Sequence, residues 1–163
     1  MEFAIVALPF TALILGTIEL GMIFLVATTL DNATQNMTRA IRTGAFQSSG
    51  GKADDLKTKI CNNLGWLQGD CMSNLYLDVR TYGQFSDIVP VQPVTNGAFD
   101  PSKIQFQVGA SGDIVVVRAF YPWTLLTPTL EPGLPNLGAS QRLLTATVAF
   151  RNENWSTGST GCG

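Results

Sequence analysis

The chain has 163 residues, of which 45% are hydrophobic and 13% are charged, and its formal net charge is −2. The charged fraction is about half of the roughly 25% found in average soluble domains, and so weakly acidic a chain is not expected to bind nucleic acid. Histidine is absent, which removes the commonest general base and the commonest zinc ligand. We therefore expect no enzyme activity, no metal site and no cofactor.

The first predicted element is a long helix that begins apolar and becomes amphipathic. From Phe3 to Leu30 the one charged residue is Glu19. A helix needs about 20 apolar residues to span the roughly 30 Å hydrocarbon core of a bilayer, and this segment is longer. After Leu30 the apolar residues continue at helical spacing on one stripe, and Gly44 is the expected end. Residues 1–44 are thus predicted to form a membrane or filament-core helix.

Two carboxylates, Glu2 and Glu19, lie in this apolar segment. A charge at mid-bilayer costs about 2.5–3.5 kcal/mol on insertion scales. One interpretation is that Glu2 is solvated at the chain end and Glu19 is tolerated as a neutral carboxyl. The other is that copies of the helix pack together, and a carboxylate pairs with a neighbour's α-amino group and sets axial register. Helix packing would use mostly small residues, namely Phe3, Ala4, Ala7, Gly16 and Gly21.

Residues 45–163 are predicted to form a globular pilin-like α+β domain with a flexible C-terminal tail. A short helix places Leu56, Ile60 and Leu64 on one face. The sequence then alternates as strands do in about four segments, at 75–80, 104–108, 114–120 and 144–150. "GASGD" predicts a hairpin turn between the second and third of them. The expected fold class is α+β, with the long helix packed on an antiparallel sheet of about four strands.

A long irregular loop is predicted between the third and fourth strands. Its sequence, "YPWTLLTPTLEPGLPNLGAS", holds four of the eight prolines. Loops of this length are often functional. Tyr121 and Trp123 are expected to be exposed there, either as a candidate surface contact for adhesion or subunit packing, or as anchors that pack the loop on its own core.

Three cysteines are present, and none lies in a C-x-x-C pair. Cys61 and Cys71 are close enough in sequence to form a disulfide across a short loop, which is the natural interpretation if the domain lies outside the cytosol. The alternative is two buried free thiols in a cytosolic domain. Cys162 would be the unpaired cysteine, in the tail "STGSTGCG".

The N-terminal stretch "MEFAIVALPFTALILGTIELGMIFLVATTLDNATQ" resembles the N-terminal segment of the TadE/TadG-like proteins of bacterial Tad (tight adherence) pili, in the type IV pilin superfamily. The likeness lies in "EFAIVALP", in "LGTIELG" around Glu19 and in "LDNATQNMTRAIRTG". Near the other end, "YPWTLLTP" and "LTATVAFRNENW" are similar to that family's closing segments.

The resemblance implies a structural subunit that is made with a short basic leader and processed by a prepilin peptidase. Such a subunit waits in the inner membrane, and the pilus assembly machinery then adds it to copies of itself or other pilins in an extracellular filament. The family's mature helix carries a glutamate at about its fifth residue, which Glu2 matches if a few residues precede it. Minor and main subunit roles both stay open.

A second hypothesis is a membrane-anchored extracytoplasmic binding or adhesin module that does not polymerise. A tethered module would more often have a flexible linker after its anchor. Here the apolar helix continues directly into the amphipathic one, which favours the filament subunit.

Overall fold

The computed structural model describes residues 2–127, 133–138 and 140–155. Within these ranges the chain forms four α-helices and five β-strands, joined by short 3-10 turns. In chain order they are α1 (Glu2–Arg42), α2 (Ala45–Ser48), α3 (Ala53–Asn62), α4 (Gln68–Asn74), β1 (Tyr76–Tyr82), β2 (Val94–Thr95), β3 (Ala98–Phe99), β4 (Ile114–Thr124) and β5 (Gln141–Arg151).

Helix α1 is a single element of 41 residues that runs through Pro9 without interruption. At about 1.5 Å per residue it is about 60 Å long. It ends where the sequence predicts, because Gly44 adopts a left-handed conformation with φ of 76° that residues with a side chain rarely enter. A Cβ atom at Gly44 would also lie 2.6 Å from the Trp155 ring. The helix end is therefore fixed both by backbone geometry and by close packing.

Strands β1, β4 and β5 form an antiparallel sheet with β4 in the centre. Leu77 lies opposite Ala119 in the β1–β4 pair, and Val117 lies opposite Val148 in the β4–β5 pair. A separate two-stranded hairpin joins β2 and β3. The predicted α+β fold, a long N-terminal helix followed by an antiparallel sheet, is confirmed.

The predicted strand at 104–108 does not form a hairpin with β4, and that prediction was wrong. The segment lies beside β1 instead and makes one parallel bridge, between Val79 and Phe106. The hydrogen-bonded pairing between β1 and this segment does not extend past Gln105. The backbone N–H of Gln105 donates to the Asp78 carboxylate at 2.9 Å instead of to a carbonyl of β1. A side chain thus takes the place of a strand carbonyl.

The two faces of the sheet are covered by different parts of the chain. On one face, alternate residues of β4 join a core with α1, α3 and α4: Val115, Val117, Ala119, Tyr121 and Trp123. Helix α1 packs against both β5 and β4 on this side. On the other face Phe120 contacts Phe99 of the hairpin, with ring centroids 6.1 Å apart. Strand β4 is therefore buried on both sides along nearly its whole length.

Helix α3 begins and faces the core as the sequence predicts. The Asp55 carboxylate accepts a hydrogen bond from the backbone N–H of Lys52 at 2.8 Å, which satisfies a donor at the helix start. Leu56, Ile60 and Leu64 are all buried. This helix lies between α1 and the start of the sheet.

Candidate functional site

The first half of α1 is exposed and apolar on most of its surface. Its large side chains are accessible over about half of their area or more in most cases, and Phe3 reaches 85%. The exposed set comprises Phe3, Ile5, Val6, Leu8, Phe10, Leu13, Ile14, Leu15, Ile18, Leu20, Phe24 and Leu25. Contiguous apolar surface of this kind marks a membrane or protein contact.

By length and composition, the helix over Ile5–Arg42 qualifies as a membrane-crossing helix, with a mean hydropathy of 2.1 in its most apolar window. This agrees with the predicted membrane segment. The N-terminal helix is thus suited to anchor the chain in a bilayer.

The second half of α1 is amphipathic and packs on the globular domain. Its buried stripe consists of Ile23, Val26, Leu30, Ala33 and Ile41. The opposite side carries Asn32, Gln35, Asn36 and Arg39, which are exposed. The change from an all-apolar surface to one apolar stripe therefore occurs where the domain begins to cover the helix.

Glu19 lies on the side of the helix that the domain covers. Its side chain is 1% exposed. One carboxylate oxygen accepts a hydrogen bond from the backbone N–H of Leu126 at 2.5 Å, and the other from the N–H of Thr127 at 2.9 Å. The Thr127 hydroxyl donates to the second oxygen as well. The carboxylate is thus fully partnered by residues that follow β4 in the same chain.

The other residues predicted for assembly occupy different environments. Phe3 and Gly21 are exposed, Ala7 is half-buried and Gly16 is buried. A Cβ atom added at Gly21 would meet nothing within 4 Å. The side chains of Glu2 and Ala4 lie outside what the structure describes, so the role of Glu2 in register stays a prediction, as does a role for Glu19 between subunits.

A disulfide joins Cys61 of α3 to Cys71 of α4, as one of the two interpretations of the sequence predicts. Both cysteines are fully buried in the core beneath α1. The bond closes a loop across the 3-10 turn at Gly65–Leu67. Disulfides persist in oxidising compartments, which is consistent with a globular domain outside the cytosol. Cys162 lies outside the described residues.

Tyr121 and Trp123 are not exposed, and the prediction that they lie on an open loop was wrong. Strand β4 extends to Thr124, and both rings point into the core, with 2% and 8% of their surface accessible. The Tyr121 hydroxyl donates a hydrogen bond to the Asp70 carboxylate. Burial, and then this hydrogen bond, raise the pKa of Tyr121 well above its usual value. The alternative interpretation, in which the two rings anchor the chain on its own core, fits these contacts.

Sequence reasoning missed a buried ionic cluster on the second face of the sheet. The Asp78 carboxylate lies 3.0 Å from the Arg118 guanidinium and 2.9 Å from that of Arg80. Arg118 also donates to the carbonyl of Val89 at 2.8 Å. The cluster ties the segment before the hairpin to the sheet. The arginine inside the apolar run "IVVVRAF" was the available signal, since a charged residue in a buried strand requires a partner.

These features define the class: a chain with a membrane-competent N-terminal helix continuous with a disulfide-bonded α+β domain. Residues 1–45 match the model of the family described as TadE-like protein. The resemblance drawn from the sequence is therefore confirmed over the N-terminal helix and its end. No curated protein and no solved structure matches the chain. A TadE-like match associates the chain with Tad pili in general terms.

Proposed function

We propose that this protein is a structural subunit of a Tad-type pilus that acts by assembly rather than catalysis. In this proposal the exposed, apolar first half of α1, called the bare half, enters the inner membrane first. It later becomes part of the helical core of an extracellular filament. The globular domain forms the outer surface of the filament. Processing by a prepilin peptidase and delivery by the pilus assembly machinery belong to the same proposal.

One observation carries the proposal. A continuous helix of 41 residues leaves its first half exposed and apolar while its second half packs on a folded domain. The domain therefore holds the bare half at a fixed direction, since a helix without a break transmits orientation. Rigid projection of an apolar rod suits repeated lateral packing with copies of itself or other pilins.

Register between subunits is proposed to depend on Glu2. In a bundle of apolar helices, one carboxylate paired with a neighbouring amino group specifies axial position better than side-chain packing does. Replacing Glu2 with alanine should then block assembly or misalign it while the globular domain stays folded. Filaments of normal yield and repeat from Glu2→Ala would contradict this role.

A specific observation favours a second candidate function, a membrane-anchored binding module that does not polymerise. The Glu19 carboxylate is already partnered within its own chain. Glu19 thus has no need of a neighbouring subunit to satisfy its charge. A solitary subunit in the membrane is chemically complete at this position.

Electron microscopy of filaments sheared from the cell surface, with antibody against the globular domain, separates the two functions. A main subunit gives label along every fibre, and a minor subunit gives sparse or terminal label. Label confined to the membrane fraction, together with unchanged fibres in a deletion strain, would overturn the filament proposal and favour the module. Asn32→Ala, on the exposed polar side of α1, is a matched control for Glu2→Ala because it leaves the apolar half intact.

A further inference from the structure

Strand β4 and the residues that follow it run along α1. At one end the Glu153 N–H donates to the Arg42 carbonyl at 2.9 Å, beside the start of β4, and at the other Glu19 binds Leu126. The helix between Arg42 and Glu19 is about 35 Å long, and the extended chain from the start of β4 to Leu126 is about 40 Å. The strand and the helix therefore run side by side in opposite directions, and residues 125–127, which we call the base of the domain, lie beside Glu19 at the end of this strand.

The apolar surface of α1 does not stop at this base. On the side away from the domain, Phe24 and Leu25 are still exposed, by 71% and 54%. From Phe3 to Leu25 the helix is about 33 Å long, close to the roughly 30 Å thickness of the hydrocarbon core. A bilayer that covers this surface extends about 9 Å past Glu19 along the helix axis.

We propose that residues 125–127 enter the membrane together with α1, and that the Glu19 carboxylate makes this possible. Leu126 is 65% exposed at the base of the domain. In the proposed arrangement its side chain contacts lipid acyl chains. The inference rests on the membrane-anchored state in the proposed function, and it does not depend on whether filaments form.

The N–H groups of this segment meet the requirement that hydrocarbon imposes on backbone donors. Non-helical backbone at membrane depth is tolerated where its polar groups are partnered by protein. The N–H of Leu125 donates to the Ser140 carbonyl at 2.9 Å. The next two N–H groups, of Leu126 and Thr127, donate to Glu19. All three successive donors are thus satisfied without water.

The same contacts account for a carboxylate in an apolar helix. An ionised side chain in the membrane is tolerated when it is paired or hydrogen-bonded within the protein. Glu19 receives two N–H donors and one hydroxyl donor from the segment that would otherwise leave those donors unsatisfied in lipid. The carboxylate and the base segment therefore satisfy each other, and neither is suited to that depth alone.

Trp66 gives the arrangement a second marker. It is 68% exposed and contacts Trp123 edge to face, with ring centroids 6.5 Å apart. Trp123 precedes Leu126 by about 10 Å of extended strand, which places Trp66 nearer the membrane surface than Leu126. Tryptophan is enriched at the membrane–water interface, so an exposed ring at this height fits a domain whose base rests in the bilayer.

Spin labels at single cysteines test the depth of Leu126. The full chain carries Cys162→Ser, so that a spin label attaches only at the introduced cysteine. Three variants are labelled, Leu126→Cys, Leu13→Cys and Asn32→Cys. Each labelled protein is placed in vesicles of phosphatidylethanolamine and phosphatidylglycerol. The readout is the accessibility of each label to oxygen relative to a water-soluble nickel complex. We expect the ratio at residue 126 to be several-fold above that at residue 32 and below that at residue 13.

A ratio at residue 126 equal to that at residue 32, with residue 13 in lipid, would overturn the inference and leave membrane anchoring intact. An aqueous reading at residue 13 would overturn both. The role of the carboxylate is tested by adding Glu19→Ala to Leu126→Cys, which should lower the ratio to the level of residue 32. Glu19→Gln, which keeps an acceptor oxygen, should retain most of it. An unchanged ratio in Glu19→Ala would show that the segment enters lipid without the carboxylate.

Discussion

The two halves of α1 are one helix in opposite surroundings, and their sequences differ both in polar content and in the pattern of their apolar residues. In the first half apolar residues occur on every side, and nearly all of the large ones are exposed. In the second half they form one stripe, which the domain buries. The apolar character of a residue in α1 therefore does not by itself predict whether the domain buries that residue. The period of the pattern indicates the packing partner, because a helix that is apolar all round requires an apolar environment on all sides.

The largest expected effect comes from truncating matched leucines in the two halves. Leu30 is 1% exposed in the core and Leu13 is 65% exposed. Leu30→Ala should lower the free energy of unfolding by about 2–5 kcal/mol, because it removes buried methyl groups and leaves a cavity. Leu13→Ala should change it by no more than about 0.5 kcal/mol. The measurement is urea unfolding of the full chain in detergent micelles, with tryptophan fluorescence as the signal that monitors unfolding. Equal losses would mean that the domain also covers the first half.

Features that depend on local sequence pattern could be predicted, whereas contacts between distant segments could not. The helix, its end at Gly44 and the core face of α3 all follow from local pattern and were predicted correctly. The segment 104–108 also alternates like a strand, but it bonds to Val79 of β1 and to the Asp78 carboxylate, which are contacts that no local pattern reveals. The sequence therefore predicted the elements better than it predicted their partners.

The base of the domain could not be predicted for a similar reason. Tyr121 and Trp123 flank Pro122 at the start of a proline-rich stretch, which favoured a loop, whereas Pro122 lies within β4 opposite Leu143. The contact between Glu19 and Leu126 joins residues more than a hundred positions apart. A carboxylate in an apolar helix signals that a partner is needed, but whether that partner is in the same chain or a neighbour is a matter of tertiary structure.

Loss of the disulfide should cause the next largest decrease in the free energy of unfolding. It tests whether the domain can be destabilised without affecting the exposed half of α1. The Cys61–Cys71 bond closes a short loop and holds α3 and α4 together beneath the covered half of α1. Replacing both cysteines with alanine should lower the free energy of unfolding by about 3 kcal/mol, mainly because the unfolded chain gains freedom. The helical circular dichroism of the bare half in micelles should persist through this loss.

Reduction of the unaltered protein is the matched control, since it breaks the bond without removing the sulfur atoms. The reduced protein and the double variant should unfold at similar urea concentrations. A reduced protein as stable as the oxidised one would show that the bond contributes little to holding the two helices.

A substitution at Gly44 should cause a smaller loss of stability, with two separable causes: backbone strain and overpacking against the Trp155 ring. Gly44 and Gly50 both have positive φ, of 76° and 66°. Alanine at either position should cost about 1–2 kcal/mol of backbone strain. At Gly44 the added Cβ would also meet the Trp155 ring, whereas at Gly50 nothing lies within 4 Å. Gly44→Ala should therefore be worse than Gly50→Ala by about 1–3 kcal/mol, the usual cost of overpacking.

The same urea titration measures both glycine variants. Equal losses at the two positions would mean that the Trp155 ring moves aside without cost, and that backbone geometry alone ends the covered half. A second comparison in the Trp155→Ala background should remove the difference between the two glycines.

The smallest expected effect is a pH dependence that arises on the covered side alone. Between Phe3 and Ile18 the helix has no titratable side chain, so ionisation within this segment cannot contribute to the pH dependence. Tyr121, in the core beneath the covered half, has its pKa raised by burial and by the Asp70 carboxylate. Below the usual tyrosine pKa of about 10, the phenol is neutral in both folded and unfolded chains, and the stability that it contributes is complete.

Above about pH 10 the unfolded chain loses the phenol proton first, so the free energy of unfolding should fall as pH rises toward the folded pKa. Tyr121→Phe keeps the ring but removes this titration, and its stability should fall less steeply over the same range. The two proteins differ only at this hydroxyl, so the difference between the two slopes isolates Tyr121. Parallel slopes would mean that the hydroxyl is free to ionise in the folded chain, which is incompatible with its burial against Asp70.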